Sequence, residues 1–366
     1  KFASPQLTSR MRGQNREQTS MLVMGSLQDR IPADHPIRRI KLLADEALGR
    51  LHTAFEAMYS QAGRPSIPPE RLLKAQILMA LFTMRSDRMF CEQLEYNLLF
   101  RWFLDMEMDE AAFDASTFSK NRKRLINNEI GQAFLAAVVE SASLRRMVSS
   151  EHFSVDGTLI EAWASMKSFK RKDDDTPSDS NGWNDFRGEK RSNETHESKT
   201  DPESRLARKG DGREAKLCFN ASGLMENRNG LILKMEAGTA NGTAERDVAI
   251  DQIQDLKPGS TVAADRAYDT KAFIALSRDA GITPHVAQVG YRRSAIDGRT
   301  TRHAGYEISM IRRRMIEGCF GWMKTIGNCR RTRFRGVPKT NLLANITAAA
   351  YNLVRIARLM PEMRFA

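Results

Sequence analysis

The sequence predicts a mixed α/β fold preceded by an all-α N-terminal domain. The chain has 366 residues, which is enough for two or three domains. From about 33 to 147, apolar residues recur at helical spacing, whereas short apolar runs typical of strands begin at His152. Three strands come first and later strands alternate with helices, an order that suits a mixed sheet covered by helices.

The N-terminal half is predicted to be a bundle of helices. The pair Pro68-Pro69 suits a helix start, and apolar residues then recur at intervals of four, four and three. The residues of this core-facing stripe are Leu73, Ile77, Leu81 and Met84. Similar patterns predict further helices over roughly 36–59, 88–106 and 128–146.

A basic stretch in this half has two interpretations. Asp114 precedes a helix-like segment that carries four cations, Lys120, Arg122, Lys123 and Arg124. A helix capped by Asp114 could lay these cations against the phosphates of a nucleic acid. They could equally form the solvated face of a helix in a small bundle.

Two of the predicted strands deliver a carboxylate at their ends. The run that begins at His152 leads into Asp156, and the apolar run 260–264 leads into Asp265. Between them, two alternating segments around an Asn-Arg-Asn-Gly turn predict a hairpin. The hairpin strands are expected at 216–221 and 231–237, helices at about 244–256 and 271–279, and a last strand at 282–288.

A highly charged segment separates the first strand from the hairpin. Residues 167–216 hold nearly equal numbers of basic and acidic side chains and almost no apolar ones. Such a composition buries too little apolar surface to order a chain. We therefore expect a charged, mobile insertion at about 165–215.

The net charge of +12 lies at one end of the chain. Residues 1–290 balance 41 basic against 41 acidic side chains, whereas residues 291–366 hold 16 basic and 4 acidic. This excess suits a polyanion, and nucleic acid is the first candidate. The apolar runs are too short to span a bilayer and no signal-type start is present, which predicts a cytoplasmic protein without membrane contact. The four cysteines lack metal-ligand spacing and are expected to be reduced, structural thiols.

The basic segment contains a pattern on a predicted helix over 308–326. Its apolar residues cluster within about 60° and predict a core face. They are Ile308, Ile311, Met315, Trp322 and Ile326. Arg313, Glu317 and Lys324 fall on the opposite side as one polar stripe. The adjacent Gly318 and Gly321 predict close approach of another backbone, because a glycine in a helix interior costs about 1 kcal/mol.

The three carboxylates lie in distinctive segments, which are FSVDGTLIEAWAS around Asp156, VAADRAYDT around Asp265 and RRRMIEGCFGWMK around Glu317. These segments resemble the DDE transposases of bacterial insertion sequences, specifically the insertion-sequence-five group of the insertion-sequence-four-like superfamily. The helical stretch RPSIPPERLLKAQILMALF also looks like that group's N-terminal domain. The resemblance covers most of the chain.

The C-terminal signature of the resembled family has Tyr, Arg, Glu and Lys at fixed spacing. Arg313, Glu317 and Lys324 stand at the last three positions, and Met310 stands at the Tyr position. The departure at Met310 affects one expected phenolic contact to DNA and leaves the other three positions intact.

The resemblance implies a ribonuclease H-like catalytic domain with a mixed five-stranded sheet flanked by helices. This domain would cover 149–366, after an N-terminal arm at 1–30 and a helical DNA-binding or dimerisation domain at 31–148. A phosphodiester cut by two metal ions needs hard oxygen ligands, as carboxylates provide. The resemblance implies two Mg²⁺ ions, with Mn²⁺ as a substitute, held by Asp156 as the bridging ligand and by Asp265 and Glu317.

The implied substrate is double-stranded DNA, both transposon ends and target. Water would first release a 3′-OH, which would then attack target DNA in a homodimer or larger assembly. The expected phosphate contacts are Arg313, Lys324, Arg330, Arg331, Arg333 and Arg335. Two alternatives stay open at this point: a catalytically inactive, domesticated DNA-binding protein, and a ribonuclease H-like nuclease or resolvase that only hydrolyses.

Overall fold

The computed structural model describes residues 25–59, 66–127, 129–173, 191–210, 212–242, 244–290 and 293–360. Most of the predicted arm at 1–30 lies outside these residues. Across the described ranges, no helix combines the length and the apolar character that a membrane crossing requires.

The N-terminal region is entirely helical, as predicted. Its helices are α1 Leu27–Arg30, α2 Ile37–Gly49, α3 His52–Ala57, α4 Pro69–Leu81, α5 Asp87–Tyr96, α6 Leu98–Phe103, α7 Ala115–Asn127 and α8 Ile130–Leu144. Leu73 and Ile77 of the predicted stripe on α4 are fully buried. Asp114 caps α7, because its Oδ1 accepts the N–H groups of Ser116 at 2.8 Å and Thr117 at 3.0 Å.

The predicted mixed sheet follows. Its strands are β1 His152–Glu161, β4 Arg205–Ala207, β5 Lys216–Glu226, β6 Ile232–Thr239, β7 Thr261–Ala264 and β8 Thr283–Val286. The five main strands lie in the order β6-β5-β1-β7-β8, and the short β4 pairs with the first residues of β5. β1 is antiparallel to β5 and parallel to β7, which is parallel to β8. The helices α9 Ala244–Ile253 and α10 Lys271–Asp279 connect β6 to β7 and β7 to β8.

Strand β1 is longer than the sequence predicted. Asp156 does not end it, because pairing with β5 continues to Glu161. On the other side of β1, the parallel pairing with β7 stops at Ser154 and Ala263. Two residues further along each strand come Asp156 and Asp265, so both carboxylates lie where these two strands cease to pair.

The charged insertion is folded over the residues that the structure covers. The strands β2 Phe169–Arg171 and β3 His196–Ser198 form a small antiparallel sheet. Residues 165–173 and 191–210 thus contain paired strands that the composition did not predict, while 174–190 lies outside the described residues. Its acidic side chains have a structural use, since Asp201 and Glu203 accept the N–H groups of Gly336 and Val337 at a helix N-terminus.

The C-terminal segment has four helices, α11 Gly298–Thr301, α12 Tyr306–Arg312, α13 Arg314–Thr325 and α14 Val337–Leu359. The single helix predicted over 308–326 is therefore wrong, because the chain breaks it at Arg313. Ile308 and Ile311 of the predicted core face are 62% and 67% exposed. The core face of α13 instead consists of Ile316, Cys319, Phe320 and Met323.

The observed core face of α13 changes where the polar stripe lies relative to the core. On α13 alone, Glu317 and Lys324 lie roughly 90° around the helix from the core face, so they border the core instead of opposing it. Gly318 and Gly321 are exposed, and a Cβ built on either would meet no atom within 4 Å. The predicted close backbone approach at these glycines is wrong in the described structure.

One continuous core joins the helical region to the sheet. α14 packs against α2, α4 and α8 on one side and against β6 on the other. Asn352 of α14 exchanges two hydrogen bonds with the backbone of Ile232, and Asn341 accepts the N–H of Ala237. These amides cover the exposed edge of β6, which would otherwise offer unpaired backbone groups.

Candidate active site

Asp156 is the centre of a group of carboxylates. Its Oδ1 accepts the N–H of Gly157 at 2.8 Å. Burial raises the pKa of Asp156 to about 7, and the negative charges of Asp265, Glu245 and Glu317 add to the rise. These carboxylates therefore lie close enough to oppose ionisation of Asp156.

Asp265 reaches the site from the end of β7. It begins the short 3₁₀ turn Arg266–Tyr268, and its Oδ1 accepts the N–H of Ala267 at 2.7 Å. The predicted pattern, a buried strand followed directly by a carboxylate, is therefore present at β7 and Asp265.

Glu317 reaches the site from the first turn of α13, which packs against β1. Its side chain is 58% exposed, and Arg313 Nη1 lies 3.7 Å from its Oε1. Asp156, Asp265 and Glu317 thus come from β1, β7 and α13, the charges of the last two act on Asp156, and Arg313 lies beside Glu317.

A fourth carboxylate, Glu245, was missed at the sequence level. It lies in the first turn of α9, where its Oε1 accepts a hydrogen bond of 2.8 Å from the hydroxyl of Tyr268. Burial raises the pKa of Glu245, and the charge of Asp265 adds to the rise. A glycine directly after Asp156 was the available signal, because it permits another chain segment to come unusually close.

A second group of side chains near α13 is cationic. Burial lowers the pKa of Lys324, and the positive charges of Lys209 and Arg330 lower it further. Lys209 belongs to the segment predicted to be a mobile insertion, and its position beside Lys324 was not expected. The polar stripe on α13 therefore begins at Glu317 and ends at Lys324, where the charges of Lys209 and Arg330 also act.

Arg331 is held against the end of β1. It donates to the carbonyl oxygens of Ala162 at 3.0 Å and Trp163 at 2.7 Å, and its guanidinium lies 5.4 Å from the centre of the Trp163 ring. The indole of Trp163 is half exposed. The half-exposed indole of Trp163 is therefore held beside the guanidinium of Arg331.

Arg122 and Arg333 do not lie with the other predicted phosphate contacts. Arg122 is buried, and its Nη2 lies 2.7 Å from Oδ2 of Asp87. Arg333 Nη2 lies 3.5 Å from the other oxygen of Asp87, and both guanidinium groups pack on Phe334. Such a buried ion pair connects α5 and α7 to the C-terminal segment, so this placement is structural.

The other predicted cations of α7 and the C-terminal segment are exposed. They are Lys120, Lys123, Arg124, Arg330 and Arg335. Lys123 lines a cleft of about 340 Å³ together with Arg85, Trp163 and Lys339. This cleft lies between the helical region and the end of β1.

The donor set fits a divalent cation by its chemistry. Asp156, Asp265, Glu245 and Glu317 offer only hard oxygen ligands, and the partly buried Asp156 faces like charges. Among the described residues, no three His, Cys, Asp or Glu side chains form a ready-made metal site. Each of the four carboxylates already has a partner: the N–H of Gly157 for Asp156, the N–H of Ala267 for Asp265, Tyr268 for Glu245 and Arg313 for Glu317.

Comparison with known families identifies the chain. The family "Transposase DDE domain" matches residues 151–353, and "Transposase domain (DUF772)" matches residues 25–124. The chain therefore belongs to the DDE transposases. It is a DNA transposase, an enzyme that cleaves DNA and transfers strands, and its family implies dependence on a divalent metal.

Solved transposase structures show only a distant likeness. One is a cryo-EM structure of the piggyBac transposase synaptic complex with hairpin DNA, with 10% identity, a TM-score of 0.39, and coverage of 88% of this chain and 75% of that one. Another is a crystal structure of a pre-cleavage Mos1 transpososome, with 10% identity, a TM-score of 0.19 and coverage of 84% and 86%. No curated protein matches the sequence.

Proposed function

We propose that Asp156, Asp265 and Glu317 are the catalytic carboxylates of this transposase. The observation that carries the proposal is that Asp156 and Asp265 each lie two residues beyond the last pair of β1 and β7, while α13, which carries Glu317, packs against β1. The negative charges of Asp265 and Glu317 also raise the pKa of Asp156. Asp265, Glu245 and Glu317 come from three separate elements, and a bound cation would balance their repulsion of the partly buried Asp156.

We propose that the metal is Mg²⁺, present as two ions and replaceable by Mn²⁺. Asp156 would serve both ions, while Asp265 and Glu317 would each serve one. When bound, such ions activate the attacking oxygen and stabilise the leaving oxygen. The nucleophile is water in the cleavage step and the released 3′-OH in the transfer step.

The chain's own cations would hold the substrate in line with these carboxylates. Arg313 lies beside Glu317 and can clamp a phosphate as a bidentate fork, while Lys324 offers a point charge further along α13. The bare surface at Gly318 and Gly321 leaves room for the DNA backbone between these two side chains.

From Lys324 the proposed DNA path continues past Lys209 and Arg330 to the cleft beside Trp163. The length of this path can be gauged along β1, which ends at Glu161, next to the cleft. Glu161 lies five residues after Asp156, or about 17 Å at the usual rise of a strand. A DNA duplex covers that distance in about five base pairs. The exposed cations of α7 and Arg335 extend the path, whereas the buried Arg122 and Arg333 are left out of it.

We further propose that the helical region at 31–148 recognises the terminal inverted repeats and that 149–366 is the catalytic domain. Pairing two transposon ends requires a homodimer or a larger assembly. The motifs around the three carboxylates support assignment to the insertion-sequence-five group, and hence to the bacterial cytoplasm, where the enzyme meets nucleoid DNA.

An assay with purified protein, Mg²⁺ and DNA that carries the element's ends tests the catalytic assignment. The variants Asp156→Asn and Asp265→Asn should bind this DNA as the wild type does and should lose nicking and joining by at least about a hundredfold. Asp279→Asn, at the end of α10, is the matched control and should act as the wild type. Nicking at the wild-type rate in either site variant would refute the assignment.

A further inference from the structure

We propose that Glu245 is a fourth carboxylate of the metal site. Tyr268 positions it, and the absence of a side chain at Gly157 leaves room for it. This inference rests on the proposed function, because it adds a residue to the same site. It assigns a role to α9, an element that contributes none of the three predicted catalytic residues.

Glu245 occupies the space that a side chain at position 157 would fill, next to the backbone of Asp156. A Cβ built on Gly157 would lie 2.4 Å from Cδ of Glu245 and 2.6 Å from its Oε1. Real Cβ atoms do not come this close to another heavy atom. The carboxylate of Glu245 therefore rests against the peptide that follows Asp156, at van der Waals distance from the main chain of β1.

Tyr268 fixes the carboxylate in this position. Its ring is fully buried and packs edge-to-face on Phe273 at 5.1 Å. Its hydroxyl donates to Oε1 of Glu245, and it belongs to the 3₁₀ turn that Asp265 caps. One buried side chain thus links the carboxylate of α9 to the loop that carries Asp265.

A purely structural role for Glu245 is the alternative. A hydrogen bond between Tyr268 and any acceptor would tie α9 to this loop equally well, and a neutral glutamine would avoid the repulsion from the nearby acids. Arg246 donates to the carbonyl oxygens of Ala267 and Gly242, and its positive charge also acts on Glu245. This one cation does not balance Glu245, Asp156 and Asp265 together, and a bound divalent ion would supply the remaining positive charge.

Binding of Mn²⁺ to the full-length protein without DNA separates the two roles. Glu245→Gln keeps the size and an acceptor for Tyr268 but removes the charge. We expect the Kd for Mn²⁺, measured by calorimetry, to rise at least tenfold and the Mn²⁺-induced increase in Tm to shrink. In the cleavage assay, the half-maximal Mg²⁺ concentration should rise by a similar factor.

Asp247→Asn provides the matched control, because Asp247 is exposed in the same helical turn. It should bind Mn²⁺ with the Kd of the wild type. A Glu245→Gln protein that folds and binds Mn²⁺ as tightly as the wild type would overturn this inference. Tyr268→Phe gives a second measure, with an expected rise in Kd smaller than that of Glu245→Gln.

The outcome for Asp156→Asn distinguishes this inference from the proposed function. If Asp156→Asn loses Mn²⁺ binding and Glu245→Gln retains it, the inference about Glu245 fails and the catalytic trio stands. If both variants bind Mn²⁺ as the wild type does, the proposed metal site itself is wrong.

Discussion

The carboxylate of Glu245 lies against the backbone of Gly157, so close that a methyl group at that position would sit 2.4 Å from its Cδ. Gly157 immediately follows Asp156, and Glu245 also binds the hydroxyl of Tyr268. The arrangement of the acids therefore depends on the absence of one side chain. A small substitution at 157 should act on chemistry more than on folding.

We expect Gly157→Ala to reduce DNA cleavage at least about tenfold, because the added methyl group must displace Glu245 or the strand that carries Asp156. Gly238→Ala is the control, since Gly238 also lies in a strand but has open space around its Cβ position. The measurement is the cleavage rate, with Tm recorded for both variants. Equal rates for Gly157→Ala and Gly238→Ala would contradict the close contact.

The ion pairs of Asp87 with Arg122 and Arg333 should be central to stability. Asp87→Asn leaves two largely buried guanidinium groups without a carboxylate, and removal of one partner from a buried pair costs about 3 kcal/mol. Urea unfolding should show a loss of that order in the free energy of unfolding. Glu95→Gln, an exposed change on α5, should leave it nearly unchanged; a loss equal to that of Glu95→Gln would show that the pairs contribute little.

Stability should fall in mildly acidic solution because of His285. This side chain is fully buried in β8, its Nδ1 lies 2.7 Å from the hydroxyl of Ser309, and its Nε2 has no hydrogen-bond partner among the described residues. Burial, with His303 and His152 nearby, lowers the pKa of His285 to about 4. Between pH 6.5 and 4, His285 is therefore protonated in the unfolded chain but neutral in the folded chain.

This difference in protonation makes the free energy of unfolding decrease as pH falls. As pH falls from 6.5 to 4, the free energy of unfolding should lose about 3 kcal/mol through this residue. Carboxylates titrate in the same range, so the comparison is with His285→Gln across pH 4.5 to 7.5. The stability advantage of the wild type over His285→Gln should shrink as pH falls; a constant difference would rule out this origin.

The native thiols should be unreactive. All four cysteines of the chain, Cys91, Cys218, Cys319 and Cys329, are buried and free, and burial raises the pKa of each. A thiol reagent such as Ellman's should label none in the native protein within minutes and all four after denaturation. Rapid labelling of a native thiol would show that the interior around it opens readily.

Much of the fold could be predicted from hydrophobic spacing. The order of strands and helices along the chain and the candidate carboxylates Asp156 and Asp265 follow from short apolar runs that lead into an acid, whereas Glu317 is singled out by the resemblance to the family signature around Arg313 and Lys324. The break at Arg313 could not be predicted, because neither proline nor glycine marks it. The predicted core face is also displaced by about 100° from the observed one, Ile316, Cys319, Phe320 and Met323, so Ile308 and Ile311 are exposed.

Pairing between distant segments limited the prediction of the site. Nothing in the local pattern of α9 indicates that Glu245, and not the exposed Asp247, faces the sheet. Similarly, Arg122 and Arg333 look like phosphate contacts until the fold places Asp87 between them. The charged insertion contacts the N-terminus of α14 through Asp201 and Glu203, a pairing between distant segments that local composition does not reveal.

The central claim is that carboxylates from β1, β7 and α13 form one metal-dependent site. The most direct test is the Mg²⁺-dependent release of a 3′-OH from end-containing DNA by Glu317→Gln, compared with Glu307→Gln on the exposed side of α12. We predict that Glu317→Gln binds this DNA normally but cleaves at least about a hundredfold more slowly, while Glu307→Gln cleaves at the wild-type rate. Cleavage by Glu317→Gln at the wild-type rate, with the same Mg²⁺ dependence, would contradict the claim.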